Sequence, residues 1–383
     1  REVEEVEEEE EQEAAPKAKR KKQAEEEEED VPEINISVPS SGRGRGRGAS
    51  DKGRGKGKSQ KEMAAKPSAL AMLRPKGARH YTTSVALPAS FVENAQSGEL
   101  KAVLVGQIAR ALTIYSVDEV VLYDDIAYKS EDEGDDGMSH SLAFFVRNLQ
   151  YLETPQYLRR QLLPHHPDLK WVGALAPLDA PHHLRKHERL AYREGAVYPK
   201  EKCSAPPKGE ENKGCWVNCG LESPVWVTGQ DIPADVRLTV RLDDDSGKDG
   251  PKRGVAVSPR EPTTKQGLYW GFQTRIAQGL REVVDGCPFT GGYDLTIGTS
   301  ERGEALGVSR LPKFQHLLLV FGGVGGLEEA LSDKNSGYPP ETDPSSLYKR
   351  YVNICPKQTS RTIRTEEAVM ISLALLSPHM PEH

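Results

Sequence analysis

A buried strand that runs directly into a glycine-rich turn is the feature that most constrains the fold of this chain. Residues 317–328 read Leu-Leu-Leu-Val-Phe-Gly-Gly-Val-Gly-Gly-Leu-Glu, so an apolar strand meets four glycines and then the start of a helix. Glycines let the backbone approach a ligand closely, and a helix start offers free N–H groups. The segment predicts an α/β fold with ligand-binding backbone after a parallel strand; an ordinary tight turn is the alternative.

Two further segments repeat the pattern of a strand followed by a polar loop. The strand predicted over 293–298 runs into a loop over 299–312, and the strand Tyr351–Cys355 runs into the loop Pro356–Arg361. If the three strands are adjacent, their loops meet at one edge of a parallel sheet. The sequence therefore predicts one composite binding site from three separate loops.

The helix after the third strand favours a cationic ligand. Thr365 is its predicted N-cap, and Glu366 and Glu367 stand in its first turn, where carboxylates suit the helix dipole and disfavour a phosphate. A sulfonium fits this environment better; an ordinary capped helix is the alternative. A Rossmann-type nucleotide enzyme is a minor alternative, because Glu328 breaks the GxGxxG spacing and the strand ending at Cys355 supplies no acidic residue for a ribose.

The rest of the chain divides into regions of different composition and periodicity. Residues 1–79 are rich in charge and glycine with few large apolar residues, which predicts a disordered tail. A βαβα unit is predicted over 80–167, an inserted small β-barrel over 168–258, and resumed α/β structure over 259–383. The last region is expected to include a strand at Leu268–Ile276 and a helix near Ser345–Lys349.

Charge and cysteine usage limit the classes of function. The charges of the tail cancel, so the formal net charge of −7 belongs to residues 80–383 and counts against unaided binding of polyanions. Within the tail, Lys17–Lys22 resembles a nuclear localisation signal and Gly42–Gly57 an RGG-type RNA-binding segment, with a solubilising tail as the alternative. Five irregularly spaced cysteines indicate a reducing compartment. No membrane span and no metal site are expected.

Several motifs together resemble a known family. In one-letter code they are SVALP at 84–88, GQIAR at 106–110, PHHLR at 181–185, GLYWG at 267–271, IGTSERG at 297–303 and SRTIRTEEA at 360–368. Over about residues 80–383 the chain resembles the SPOUT superfamily of methyltransferases, in particular the eukaryotic and archaeal branch with a β-barrel inserted in the knotted domain.

The resemblance implies a fold and an activity. The fold would be an α/β-knot, with a deep trefoil knot at the C-terminus and an inserted OB-like barrel that binds RNA. The activity would be transfer of a methyl group from S-adenosylmethionine to RNA, with N3 of a uridine in large-subunit ribosomal RNA as the target. A homodimer is implied as well. The alternative is a catalytically weak SPOUT-fold scaffold that binds RNA or spindle and centromere proteins.

The chemistry of N3 methylation suggests catalytic candidates, a basic His-rich patch suggests RNA contacts, and the resemblance implies that three loops bind the donor. Arg110, Glu301 and Arg302 are the catalytic candidates, although a solvated helix face and an exposed loop ion pair are the alternatives for them. The RNA-binding candidates are His182, His183, Arg185 and Lys186. The candidates for binding S-adenosylmethionine lie in the three loops and are Gly298, Thr299, Ser300, Glu301, Phe321, Gly322, Gly323, Gly326, Leu327, Glu328, Cys355, Gln358, Thr359, Arg361, Thr362, Ile363, Thr365 and Glu366.

The same reasoning predicts where the protein acts. The lysine-rich cluster and the RNA target favour the nucleus, and the nucleolus in particular, with a cytoplasmic or spindle pool as a further expectation. RNA is the expected partner, besides a second copy of the chain.

Overall fold

The computed structural model describes residues 77–125, 138–210, 213–243, 251–306 and 311–381. The strands are β1 Thr82–Pro88, β2 Glu119–Tyr123, β3 Tyr192–Val197, β4 Gly214–Asn218, β5 Val225–Thr228, β6 Arg237–Leu242, β7 Arg253–Val257, β8 Gln273–Ala277, β9 Leu295–Ala305, β10 His316–Val320 and β11 Arg350–Asn353. The α-helices are α1 Gly98–Ile114, α2 His140–Glu153, α3 Gln156–Leu162, α4 Glu261–Gln266, α5 Leu280–Asp285, α6 Gly326–Ser332 and α7 Thr365–Leu376. The predictions at Lys17–Lys22 and Gly42–Gly57 lie outside the described residues.

Six strands form a parallel sheet in the order β11-β9-β10-β1-β2-β8. Strands β1 and β10 lie at its centre and pair in parallel from Thr82–His316 to Ala86–Val320. Their residues are almost all buried because helices cover both faces of the sheet, which explains the continuous apolar runs in the sequence. The predicted α/β class with a parallel sheet is confirmed.

The helices form one layer on each face of this sheet. Helices α1, α2 and α7 contribute to one core, where Ile108, Phe145 and Leu373 are packed with the sheet. Helices α5 and α6 contribute Val283 and Leu331 to the core on the other face. Within the described ranges, no helix is long and apolar enough to cross a membrane.

A closed five-stranded barrel is inserted between α3 and α4, with strands in the order β3-β4-β5-β7-β6. Its strands span 192–257, inside the predicted range 168–258, and β5, β6 and β7 fall at the predicted positions. The first two barrel strands were not predicted. In β3 the alternation is hidden, because Arg193 and Glu194 are both buried and hydrogen-bonded rather than facing solvent.

A buried polar network joins the barrel to the sheet domain, and we call Glu153, His182, Glu194, Arg237 and Trp270 the junction network. Arg237 donates two hydrogen bonds to Glu153, at 2.5 and 2.9 Å, and one to Glu194 at 2.7 Å. Trp270 Nε1 donates to Glu194 at 2.7 Å, and the His182 ring contacts Glu153 at 3.0 Å. Although burial raises the pKa of Glu153, the charge of Arg237 and these hydrogen bonds hold it well below its usual range.

Four local predictions differ from the structure. The strand predicted at Leu268–Ile276 begins only at Gln273, because Leu268–Phe272 pack at the barrel junction and Gly271 has a φ of 87°. The predicted loop 299–312 begins as strand, since β9 pairs again with β11 at Glu304 and Ala305. The helix expected at Ser345–Lys349 is a 3₁₀ turn at Pro344–Ser346.

The fourth difference concerns the start of α7. Arg364, not Thr365, is its N-cap residue, and the Arg364 backbone N–H donates to the Glu367 carboxylate at 2.9 Å. Thr365 is instead buried and points its hydroxyl at the Gly322 carbonyl, 3.5 Å away. The predicted carboxylates in the first helical turn are confirmed.

Candidate functional site

The three loops predicted to form one site belong to three neighbouring strands: two follow β10 and β11, and the third lies within β9, after its pairing with β10 ends at Gly298. β11 pairs with β9, β9 pairs with β10, and all run parallel, so their carboxyl ends lie at the same edge of the sheet. The adjacency on which the prediction depended is therefore present. We call these segments loop A (298–303), loop B (321–328) and loop C (355–366).

Loop A bulges out of the sheet. The pairing of β9 with β11 jumps from Gly298–Tyr351 to Glu304–Val352, so the residues between are extra on the β9 side. Glycines bracket this bulge because neighbours approach closely. A Cβ on Gly298 would lie 2.4 Å from the Tyr348 ring, and one on Gly303 would lie 2.4 Å from the Val352 carbonyl carbon. Within the bulge Thr299 and Ser300 are half-buried, whereas Glu301 and Arg302 are exposed.

Loop B is a tight glycine turn held from several sides. A Cβ on Gly322 would lie 2.3 Å from the Gly326 carbonyl carbon, and Gly326 itself has a φ of 77°. The buried Tyr123 hydroxyl donates to the Phe321 carbonyl at 2.6 Å, which fixes the start of the turn. The Gly325 N–H donates to the Glu329 carboxylate at 3.0 Å. A side chain at Gly322 is thus excluded, which explains the glycine.

Loop C is polar and mostly open to solvent. Thr359, Arg361 and Thr362 are exposed, Gln358 and Ile363 are half-buried, and Cys355 is fixed through its backbone N–H, which donates to Asn353 at 2.9 Å. Loop C touches loop B through the Thr365 hydroxyl and the Gly322 carbonyl. The structure therefore brings loops B and C into contact, and it places Glu366 half-buried beside them.

The two catalytic candidates in loop A are exposed at the tip of the bulge. Arg302 pairs with Glu328 of loop B at 3.3 Å rather than with Glu301, and the Arg302 side chain is 73% exposed. Glu301 is held by its carbonyl, which accepts a hydrogen bond from Asn353 at 2.8 Å. The Arg302 pair joins two loops of the site, but an exposed pair of this kind adds little stability.

The third catalytic candidate lies elsewhere. Arg110 stands one turn before the end of α1, and that end leads into β2 at the amino-terminal edge of the sheet. Its guanidinium donates to the Leu178 carbonyl. Within one chain, the structure does not bring Arg110 together with loops A to C, which stand at the opposite edge.

The candidate RNA contacts at His182 and His183 need correction. His182 is fully buried and belongs to the junction network, so its ring cannot reach a phosphate. The His183 ring lies 2.7 Å from the Glu153 carbonyl, and burial lowers its pKa to about 3, which leaves it neutral at physiological pH. Arg185 and Lys186 are exposed, and Lys186 pairs with Glu222 at 3.1 Å. The histidines serve the barrel junction, which a sequence pattern does not reveal.

Sequence reasoning missed a carboxylate pair beside loop B. Asp124 and Asp125 follow β2, and Asp125 accepts hydrogen bonds from the Ser90 backbone N–H at 2.9 Å and from the Ser90 hydroxyl. A Cβ on Gly323 would lie 3.0 Å from Ser90 Oγ and 3.2 Å from Asp125 Oδ2. The acidic end of this strand was visible in the sequence; its contact with loop B follows from the position of β1 between β2 and β10.

Burial and neighbouring charge both affect this carboxylate pair. Burial raises the pKa of Asp124 to about 6, and the nearby Asp125 adds to the effect. Burial also raises the pKa of Asp125, although Ser90 lowers it, and Glu329 adds repulsion. Among the described residues, neither carboxylate forms an ion pair with a lysine or arginine. This edge of the sheet therefore suits a ligand with positive charge.

A cavity of about 580 Å³ lies at the other edge of the sheet. It is lined by residues near the starts of β2 and β8, such as Asp118 and Gln273, and by Arg260, Trp270 and Phe289. This cavity adjoins the junction network and is separate from loops A to C. No group of three His, Cys, Asp or Glu in the described parts of the chain is arranged to hold a metal ion.

Comparison with known proteins agrees with this arrangement. Residues 82–376 match the family model described as "Putative RNA methyltransferase". The chain is similar to the 28S rRNA (uridine-N(3))-methyltransferase of Mus musculus, with 46% identity over 79% of this chain and 78% of the relative. The protein of the same name from Homo sapiens is 46% identical over 78% of this chain and 79% of the relative, and that from Drosophila melanogaster is 44% identical over 77% and 61%.

The chain therefore belongs to this family of RNA methyltransferases. The family resemblance inferred from the motifs is confirmed, and so is the assignment as a methyltransferase that acts on RNA.

Proposed function

We propose that this protein transfers a methyl group from S-adenosylmethionine to N3 of a uridine in large-subunit ribosomal RNA. The observation that carries the proposal is the meeting of loops A, B and C at one sheet edge, in a chain whose relatives are named 28S rRNA (uridine-N(3))-methyltransferases. S-adenosylmethionine supplies an electrophilic methyl carbon next to a positively charged sulfur. The protein then has to hold donor and uridine in line and accept the N3 proton.

The residues at the site fit a cationic methyl donor. Ser90 Oγ and Asp125 Oδ2 stand 3.0 and 3.2 Å from the Cβ position of Gly323, so a ligand bound at this turn would meet a carboxylate as well as the main chain. The carboxylates Asp124 and Asp125 have raised pKa values through burial, and a bound cation would stabilise their charged form. We assign donor binding to the candidates in loops A to C, with Thr299–Arg302, Phe321–Glu328 and Gln358–Glu366 providing most contacts.

The finer features of the SPOUT class belong to the same proposal. Loop C passes from β11 to α7 and reaches Gly322 of loop B, which supports a knotted path in which loop C closes over the donor. A homodimer is supported by apolar side chains left exposed on the helices of one face. Leu100 on α1 is 52% exposed and Leu375 on α7 is 41% exposed. The barrel, with exposed Arg185 and Lys186 at its base, is the proposed RNA-binding module of OB-like type.

The site of action is proposed from the tail. Its lysine-rich cluster at 17–22 supports a nuclear protein, and the ribosomal target supports the nucleolus. If the protein is instead a scaffold, we propose a cytoplasmic or spindle pool in which it binds spindle or centromere proteins. Fluorescence microscopy of a tagged full chain, with and without residues 17–22, distinguishes the two.

The first experiment measures S-adenosylmethionine binding by calorimetry for the full chain and for Gly323→Trp. The indole would occupy the space between loop B, Ser90 and Asp125, so we expect binding to be lost. Gly173→Trp is the matched control, since Gly173 is exposed and no atom lies within 4 Å of its Cβ position. A folded wild-type chain that does not bind the donor would overturn the proposal and favour the scaffold.

The second experiment identifies the product. The protein is incubated with labelled donor and large-subunit ribosomal RNA transcribed in vitro, which carries no modification, and the digested nucleosides are analysed by mass spectrometry. We expect 3-methyluridine. Methylation of a ribose, or of uracil at carbon 5, would contradict the N3 assignment while leaving an RNA methyltransferase.

A further inference from the structure

We propose that Ser90 and Asp125 form the proton acceptor for uridine N3. This inference rests on the proposed function. In the pair, the Asp125 carboxylate accepts hydrogen bonds from both the backbone N–H and the hydroxyl of Ser90. The pair therefore holds one hydroxyl in a fixed orientation with a base directly behind it.

The location of the pair supports this role. Ser90 Oγ and Asp125 Oδ2 lie 3.0 and 3.2 Å from the Cβ position of Gly323, so they stand directly against the centre of loop B. Ser90 follows β1 and Asp125 follows β2, and β1 is paired with β10, the strand that leads into loop B. A donor held against Gly323 would have this hydroxyl as its neighbour.

The proposed step moves two protons and one methyl group. The N3–H proton of uracil passes to Ser90 Oγ while the Ser90 hydroxyl proton passes to the Asp125 carboxylate. The N3 lone pair forms the new bond to the methyl carbon, and the electron pair of the broken carbon–sulfur bond remains on sulfur. Asp125 then releases its proton to solvent. No oxidant, metal ion or other reactant is required.

The charges around Asp125 suit a proton acceptor. Asp124 on the same segment and Glu329 on α6 face it, and Tyr123 and Ser90 are its uncharged neighbours. Burial and the charge of Glu329 raise the pKa of Asp125 although the hydrogen bonds from Ser90 lower it, so Asp125 is a stronger base than a solvated aspartate. Uracil N3–H is a weak acid, so a stronger base increases the rate of its removal.

A purely structural role is the competing explanation, because Ser90 and Asp125 also brace Gly323. The two roles are separated with Asp125→Asn and Ser90→Ala, measured in single turnovers at saturating donor and RNA. Asparagine keeps an acceptor for the Ser90 N–H but is not a base. We expect the methylation rate to fall about 100-fold or more in Asp125→Asn, within the usual range for a lost general base, while donor affinity falls no further than in Asp124→Asn, which removes the neighbouring carboxylate but not the base.

A substrate with a more acidic N3–H provides the decisive measurement. RNA transcribed with 5-fluorouridine has a more acidic N3–H, so it needs less help from a base. We expect the rate defect of Asp125→Asn to shrink at least tenfold with this RNA, and the remaining rate to keep rising toward high pH. Asp285→Asn on α5 is the matched control, since Asp285 is 68% exposed and remote from the three loops.

The outcomes are distinct. A wild-type chain that does not make 3-methyluridine overturns the proposed function itself. An active wild type with an unimpaired Asp125→Asn variant overturns the inference alone. A defect that 5-fluorouridine does not relieve, or that comes with lost donor binding, shows that the pair only braces loop B and likewise overturns it.

Discussion

The two edges of the parallel sheet contain buried carboxylates in opposite circumstances. At the amino-terminal edge, Glu153 forms an ion pair with Arg237, and the pKa of Glu153 is lowered. At the carboxyl edge, Asp124 is buried and Asp125 half-buried, neither forms an ion pair with any described lysine or arginine, and the pKa values of both are raised. The first arrangement stabilises the joint between barrel and sheet. The unpaired carboxylates at the carboxyl edge lower the stability of the fold, which is typical of a ligand-binding site.

The sharpest test of this comparison is removal of the charge at Glu153. In Glu153→Gln, the half-buried Arg237 keeps Glu194 as its charged partner among the described residues, so we expect the free energy of unfolding to fall by about 3 kcal/mol, the lower end for a broken buried ion pair. Urea unfolding at pH 7 measures it. Lys186→Ala, which breaks the exposed pair with Glu222, is the control, with an expected change below about 1 kcal/mol.

The effect of Glu153 also depends on pH. The pKa of Glu153 is lower in the folded chain than in the unfolded chain. Its contribution to the free energy of unfolding is therefore present above about pH 4.3 and is lost as the pH falls. The difference between wild type and Glu153→Gln should therefore shrink below that pH. A difference that stays constant down to pH 3 would contradict the charged network.

The opposite sign is expected at Asp124. Its pKa of about 6 exceeds the ordinary 3.8, so the wild type loses stability as the pH rises through this interval. We expect Asp124→Asn to raise the free energy of unfolding at pH 8 by about 1–3 kcal/mol, from about 1.4 kcal/mol per pKa unit. Unfolding curves at pH 4 and pH 8 measure it, and the variant should gain nothing at pH 4.

The same variant distinguishes stability from function. We expect Asp124→Asn to bind S-adenosylmethionine several-fold more weakly, because the proposed donor site loses a carboxylate. Calorimetry on the variant and on Asp285→Asn provides the comparison. A variant that is no more stable at pH 8 than the wild type would remove the contrast between the two edges.

The smallest effect is expected at the tip of loop A. Arg302→Ala breaks an exposed ion pair with Glu328, so we expect the free energy of unfolding to change by less than about 1 kcal/mol. Methyl transfer measured on the same sample decides between the two interpretations of Arg302. An activity loss far beyond that small change would assign Arg302 to the reaction, and unchanged activity would leave it a surface pair.

Local patterns predicted the elements well where one face or both faces of an element are apolar. The continuous apolar residues 317–321 predicted β10, and the helical spacing over 99–115 predicted α1 to within one residue at each end. Patterns failed where polar side chains are buried. Arg193 and Glu194 hid β3, and His182 and His183 were interpreted as surface groups although they belong to the barrel junction.

The candidate site was predictable only in part for the same reason. Loops A, B and C carry glycines and hydroxyls that point to backbone recognition, and three such loops were recognisable one by one. Ser90 and Asp125 carry no such signal, since a single serine and a strand-end aspartate are common. Their meeting depends on hydrogen bonds between residues 35 positions apart in the chain.

The sequence by itself determined the α/β class, the three glycine- and hydroxyl-bearing loops, the inserted barrel and, through its motifs, the family. Those features arise from local periodicity and from backbone conformations that only certain residues adopt. The tertiary structure alone decided that β11, β9 and β10 are neighbours, that Arg110 lies at the far edge, and that buried carboxylates are paired at one edge and unpaired at the other. Strand order and the burial of charge depend on contacts between distant residues, which no local pattern specifies.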